Sequence, residues 1–325
     1  MTTRRAERHP HRGRRTRLLA ILLLPLLLLG ACSAPTTTLP TFGSTGFAPT
    51  SPTTSPEPSA EPSPSRTTLS VDGRDYVLVV PTGYRSDEPT GLVVGLHGYT
   101  SDAAGLNLYL GLASAAGRHH LLLALPQGTV DSAGDRFWNA TSACCDFDRS
   151  GVDDSAYLGQ VIEQVSTGWA VDPGRVYVVG HSNGAFMAHR FACDHPDQVA
   201  GVLSLAGVGD RDPASCPDGV PVAVLQVHGT ADNRVPYAGS GDTPSAETTA
   251  QRWATRDGCT TPPTKGADLD LVDSTPGAET TITAWDDCAG PAAVELWTIR
   301  DGPHVPILHR DFTDTALEWL EKHSR

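Results

Sequence analysis

The chain is 325 residues long, 39% hydrophobic and 19% charged, with a formal net charge of −13. That size suits one large α/β domain with appendages better than several small domains. The acidic balance, with no Lys/Arg cluster or aromatic-basic stripe past the first residues, excludes nucleic acid as a partner and disfavours polyanionic substrates, so a neutral substrate fits best.

Arg4, Arg5, Arg12, Arg14, Arg15 and Arg17 make a basic start, and residues 18–29 follow as an almost purely apolar run. The run is too short to span a bilayer and carries Pro25, so it reads as the apolar region of a signal peptide. It ends in LLGAC. Small Gly30 and Ala31 directly before Cys32 resemble a bacterial lipobox. Residues 1–31 are therefore expected to be removed and Cys32 to be lipidated, the only route by which this chain would meet a membrane. RRTRLL resembles a twin-arginine signal only loosely, which leaves the export route open. Residues 32–66 are rich in Pro, Thr and Ser and cannot bury enough surface to offset their ordering entropy. They read as a tether reaching on the order of 100 Å. Residues 67–325 are left as the folded domain.

That domain opens with two strand-like runs, TTLSVDG and RDYVLVVP, joined at Asp72-Gly73, a common hairpin pair. Apolar β-rich runs then alternate with helical ones. Strands are expected at 92–98, 121–127, 175–182, 200–207, 222–229 and in AVELWTI. Helices are expected at 106–117, 154–169, from 182 to about 194, at 246–256 and at 312–323. Asp153 and Asp154 are placed to cap the second of these. His119-His120 would end the first. ADLDLVD, at 267–273, reads as an exposed strand with alternating acids. Near-continuous apolar strands imply burial on both faces, and the alternation implies an α/β fold with a mostly parallel, doubly wound sheet and helices on both faces.

Seven cysteines are present. Beyond Cys32 the six are Cys144, Cys145, Cys193, Cys216, Cys259 and Cys288, an even number that suggests three disulfides in an oxidising compartment. Cys259 and Cys288 bracket one segment and are expected to pair. The other four leave three pairings open, including a vicinal one. Without C-x-x-C spacing, no metal site is predicted.

Polar residues that follow strands are the candidates for chemistry, because functional groups in such sheets gather at the strand ends. After RVYVV comes Gly180-His181-Ser182-Asn183-Gly184. A serine nucleophile must project from a sharp turn, and flanking glycines remove the clashes of strand and helix there. The following helix would bring its N-terminal amides to the place where negative charge develops. After VAVLQV comes HGTADNRVPY, with Asp232. After VELWTI comes RDGPHVP, with His304. The order Ser182, Asp232, His304, each behind a strand, is that of α/β-hydrolase triads. Imidazole can take and return the serine proton, and a carboxylate fixes its tautomer. The amides of Asn183 and Tyr99 are the candidate oxyanion donors. His181 reads as a neighbour of the substrate pocket or a packed residue, and His309 as an alternative base.

LHGYTSDA, FWNATSACC, GVDDSAYL, VDPGRVYVVGHSNGAFMAHRFACDHP, VHGTADNRVPY and ELWTIRDGPHVP together resemble the secreted polyhydroxybutyrate depolymerase/feruloyl esterase family, which includes a lipid-anchored branch. The resemblance implies an α/β-hydrolase fold and ester hydrolysis through an acyl-enzyme, with no cofactor. It implies Ser182 as nucleophile, Asp232 as acid, His304 as base, Trp138 in the pocket wall and a Cys144-Cys145 pair. The chain departs from the family where GGGHTWPG is common: it has DGPHVPILH, without the aromatic after the histidine. Two other readings compete with an esterase. One is a peptidase on the same fold, and the other is a surface-binding lipoprotein without catalysis.

Overall fold

The computed structural model describes residues 64–325. The expected signal peptide, Cys32 and nearly all of the expected tether lie outside the described residues. β1 (Ser65–Val71) begins two residues before position 67 and pairs antiparallel with β2 (Arg74–Val80). Asp72 and Gly73 join them with φ of 49° and 77°, the twist-matched turn that an Asp-Gly pair favours.

β3 (Thr90–Leu96) leads into α1 (Ala103–Leu110) and α2 (Leu112–Arg118). The single helix expected here is broken at Gly111, whose φ is 63°. Asn107 Oδ1 accepts the Ala113 amide across the break at 2.8 Å, replacing a backbone bond with a side-chain one. β4 (Leu122–Pro126) follows, then a small hairpin of β5 (Thr129–Val130) and β6 (Arg136–Phe137). Next come α3 (Asp154–Gly168), β7 (Val171–His181), α4 (Asn183–Asp194), β8 (Gly201–Leu205), β9 (Ala223–Gly229) and α5 (Ala246–Arg256). The chain ends with β10 (Thr264–Lys265), β11 (Thr280–Trp285), β12 (Val294–Ile299) and α6 (Phe312–Lys322).

The sheet order is β1-β2-β4-β3-β7-β8-β9-β12-β11-β10. The neighbours from β4 through β12 are all parallel, and an antiparallel pair extends the sheet at each end. Successive side chains of the central strands enter two cores. Leu92, Val94, Leu96, Val176 and Val178 pack with α3, α4 and α5 residues such as Val161, Phe186 and Trp253. Val93, Tyr177 and Val179 pack with Leu106, Leu112 and Leu320 of α1, α2 and α6. This is the doubly wound, mostly parallel sheet expected from its near-continuous apolar strands.

Two local expectations need correction. ADLDLVD is not a regular strand: its ladder pairing is limited to the isolated bridges Leu269–Thr280 and Val272–Leu308, and Leu271 and Val272 are both buried. Asp153 alone caps α3, accepting the Ala156 amide at 3.0 Å. Asp154 is instead 1% exposed, paired with Arg74 at 2.7 Å and accepting the Asn139 amide. His119 does end α2, and it binds Glu321 at 2.7 Å. The disulfides are Cys144–Cys145, Cys193–Cys216 and Cys259–Cys288.

Candidate active site

Because β7, β9 and β12 run parallel, their C-terminal ends share one edge of the sheet. Ser182 follows β7 with φ 55° and ψ −122°, and it is the residue on which α4 starts. Such a positive φ is costly for a serine. The glycines on either side make the turn possible: a Cβ on Gly180 would collide with the backbone of Gly184 and Ala185, and one on Gly184 with that of Leu96 and His97. The Ser182 amide binds the Leu205 carbonyl of β8 at 2.8 Å, while its own carbonyl accepts the amides of Ala185 and Phe186.

His304 reaches Ser182 because the loops after β9 and β12 meet backbone to backbone. A Cβ on Gly229 would strike Gly302, and the Ala231 amide donates to the Gly302 carbonyl at 3.0 Å. His304 Nε2 lies 2.8 Å from Ser182 Oγ, and His304 Nδ1 lies 2.7 Å from Asp232 Oδ2. Asp232 is 6% exposed. Its Oδ1 accepts the amides of Arg234 and Val235 at 2.8 and 2.9 Å. Burial pushes this carboxyl up, but hydrogen bonds from His228, His304 and the two amides outweigh it and hold it well below the usual carboxylate range. An ionised Asp232 only accepts. It therefore fixes the proton of neutral His304 on Nδ1 and leaves the Nε2 lone pair for the Ser182 hydroxyl.

The Asn183 amide is the first of α4 and has no intrahelical acceptor. Tyr99 follows Gly98, where a Cβ would come within 3.3 Å of the Ser182 Cβ, so this loop lies against the serine. His181 is half-buried, with its Nε2 3.1 Å from the His304 carbonyl and its ring on Tyr109 and His304. Burial takes its pKa down to about 4, so at neutral pH it is an uncharged prop for the His304 loop. Tyr109 supports the same loop by donating to the Pro306 carbonyl at 3.0 Å.

Trp138 is not a pocket wall. It is fully buried, donates Nε1–H to the His97 carbonyl at 2.9 Å and stacks obliquely on His97. An aromatic without exposed surface supports the serine turn from below and cannot touch substrate. His309 is bound up with Asp311 and is not brought to Ser182. Among the described residues no group of three or more His, Cys, Asp or Glu side chains is placed to hold a metal. A cavity of about 690 Å³ lies between α4 and α5, walled by Trp253, Trp285, His189 and Leu296, and none of Ser182, Asp232 and His304 lines it.

Asn183's side chain, His97 and His228 were not singled out as structural partners of this site by the sequence reading. Both histidines stand in a His-Gly pair that ends a parallel strand, and that repeated ending is the signal that marks them.

The chain is 26% identical over 244 residues to feruloyl esterase B of Piromyces equi, an alignment covering 71% of this chain and 42% of that protein. It is 32% identical over 128 residues to poly(3-hydroxyalkanoate) depolymerase C of Paucimonas lemoignei, covering 39% and 30%. The chain thus spans less than half the length of these curated relatives. In fold it is similar to an acetyl xylan esterase from Aspergillus awamori, with a TM-score of 0.61 and 17% identity over 79% of this chain and 99% of that one. The fold is that of the α/β-hydrolases. With residues 84–255, more than half of its length, matched by the phospholipase/carboxylesterase family, the chain belongs to that family.

Proposed function

We propose that the protein is an exported serine esterase that hydrolyses neutral carboxylic esters through a Ser182-His304-Asp232 triad. The observation that carries this reading is the continuous hydrogen-bonded line from Ser182 Oγ through His304 to Asp232. His304 Nε2 takes the Ser182 proton as Oγ attacks the ester carbonyl, and the oxyanion is held by the amides of Asn183 and Tyr99. The tetrahedral adduct collapses to an acyl-Ser182 ester, and His304 returns the proton to the leaving alcohol. Water then attacks the acyl carbon as His304 takes its proton, and the adduct collapses to the acid as His304 passes that proton to the departing Ser182 Oγ.

The names of the relatives support an ester substrate. The surface around Ser182 supports an apolar one. Leu108, Val130, Phe147, Val305 and Ile307 are five of the six large hydrophobic side chains exposed among the described residues. Three of them belong to the segments that build the site: Phe147 lies edge-on to the Tyr99 ring, and Val305 and Ile307 follow His304 in its loop. Exposed apolar groups beside a site favour an apolar ligand there. Export rests on the sequence, with residues 1–31 as signal peptide, Cys32 as the lipidated residue and residues 32–66 as the tether ahead of the catalytic domain. Three disulfides support an oxidising compartment.

The test is a chain-length series of p-nitrophenyl esters with methyl ferulate and peptide anilides alongside, on the wild type and Ser182→Ala. Ester turnover lost in the variant, with inert anilides and fluorophosphonate labelling confined to the wild type, is the expected result. Equal turnover in both proteins would refute the triad.

A further inference from the structure

A line of buried polar groups runs away from Asp232 toward the far face of α4, and the reaction steps above do not use it. Trp253 Nε1 is 2.9 Å from His189 Nδ1, and His189 Nε2 is 2.9 Å from Gln226 Oε1. Gln226 Nε2 is 2.8 Å from the Gly207 carbonyl and 3.4 Å from His228 Nδ1. His228 Nε2 is 2.8 Å from the Val235 carbonyl and 3.4 Å from Asp232 Oδ2. All four side chains are at most 4% exposed.

The donor inventory fixes the direction of every bond. Indole N–H can only donate, so His189 Nδ1 accepts. Burial holds the His189 pKa down at about 4, so the ring is neutral and its one proton is on Nε2, facing the Gln226 oxygen. The Gln226 amide cannot be flipped, since its nitrogen would then face the His189 N–H and its oxygen the Gly207 carbonyl. Its two N–H groups therefore serve Gly207 and His228 Nδ1. That leaves the His228 proton on Nε2, shared between the Val235 carbonyl and the Asp232 carboxylate. Reversing any link sets lone pair against lone pair or donor against donor among side chains that are almost fully buried.

We propose that Trp253, His189, Gln226 and His228 form a one-way positioning relay that keeps a donor aimed at Asp232 and so holds the acid ionised and pointed at His304. The inference rests on the esterase reading for its kinetic consequence but not for its geometry. The titratable groups facing Asp232 are His228 and His304, with His181 on the other side of His304. Trp253 stands on α5 and lines the cavity behind α4, which no triad residue lines, so its hydrogen-bonded route to Asp232 is the relay.

The experiment has two arms on the full chain. Long-range ¹H–¹⁵N NMR of histidine-labelled protein reads the tautomers directly, and both His189 and His228 are expected to carry the proton on Nε2. The second arm is the pH profile of ester hydrolysis in Trp253→Phe, which removes the indole N–H and keeps an aromatic side chain in the core. With His189 then free to reverse, kcat is expected to fall by about 3- to 10-fold at unchanged KM. The acid limb of kcat/KM should move up by about half a pH unit, since a carboxylate short of a donor holds the His304 proton more tightly. A purely structural role for Trp253 would not move that limb. An Nδ1–H tautomer at either histidine, or a Trp253→Phe profile superimposable on the wild type, would overturn the relay. If the wild type turns over no ester at all, the esterase reading fails while the tautomers still decide the relay. If Trp253→Phe does not fold, the tautomers alone decide it.

Discussion

Asn183 and Trp138 clasp each other in both directions: Asn183 Oδ1 accepts the Trp138 amide at 2.7 Å, and Asn183 Nδ2 donates to the Trp138 carbonyl at 2.9 Å. The residue after the serine thus locks the turn onto the loop that carries Cys144–Cys145, whose Cys144 sulfur lies 3.5 Å from the same Nδ2. Both residues are fully buried, so no water can substitute for either bond. Asn183→Ala should cost about 3 kcal/mol, the penalty of leaving two buried backbone groups unpaired. It should also lower kcat, because the amide that opens α4 loses its anchor. Denaturant unfolding checks the first, and a loss below 1 kcal/mol would mean that the loop relaxes around the gap.

Arg74 and Asp154 tie β2 to α3 beneath the same loop. Asp154 is buried, and burial raises its carboxyl despite Arg74 beside it. Arg74 also donates to the Gln127 carbonyl and lies 3.7 Å over the Tyr157 ring. Removing only the cation strands a buried charge, so Arg74→Met should destabilise by about 3–5 kcal/mol. The double variant Arg74→Met/Asp154→Leu should be less destabilised than Arg74→Met alone. If the two single losses simply add in the double variant, the pair is not coupled and the reading is wrong.

The central sheet was legible because strands buried on both faces cannot hide their apolar runs, and most of the helices between them announce themselves by period and cap. Ser182, Asp232 and His304 were found by their place behind strands, which is where a parallel sheet collects its loops. The features that escaped depend on contacts distant in sequence. β11 has no continuous apolar run, since Thr280, Thr281 and Thr283 dilute it, and it is a strand because β12 pairs with it. Trp138 looked like a pocket residue because sequence gives an aromatic its chemistry but not its depth. Asp154 looked like a cap because Arg74, 80 positions away, could not be seen beside it. The break at Gly111 was readable in principle, since a glycine in a short helix followed by Leu112 invites a left-handed cap.

Val305 and Ile307 stand exposed at 54% and 65% in the loop that carries His304. If they contact the acyl or alcohol part of the substrate, Val305→Ser and Ile307→Ser should raise KM for longer p-nitrophenyl esters several-fold and leave acetate hydrolysis nearly untouched. One lost methylene-scale contact is worth about 1–3 kcal/mol at most, which bounds the effect near 100-fold. Identical changes for acetate and octanoate would show that these side chains lie outside the substrate path.

His97 and His189 are both buried and both held down at about pKa 4, mainly by desolvation. His97 has its proton on Nδ1 for the Gly98 carbonyl, because its Nε2 accepts the Gly128 amide at 2.9 Å. In the unfolded chain each would titrate near 6.5. Between these values the unfolded state binds the extra protons, so stability is complete above about pH 6.5 and is lost as the pH falls toward 4. The loss approaches about 3 kcal/mol for each histidine by pH 4 and levels off below it. Asp232, whose carboxyl lies below the usual range, adds its own loss only at lower pH, as the solution falls through the unfolded carboxylate value near 4 and beyond. Unfolding free energy measured from pH 7 to 4 should therefore fall steeply in the histidine window, before the carboxylates take over. His97→Gln should be weaker at pH 7 yet lose less on acidification, by about one proton's worth of slope. If the variant and the wild type fall in parallel across that window, His97 is not kept neutral by its burial.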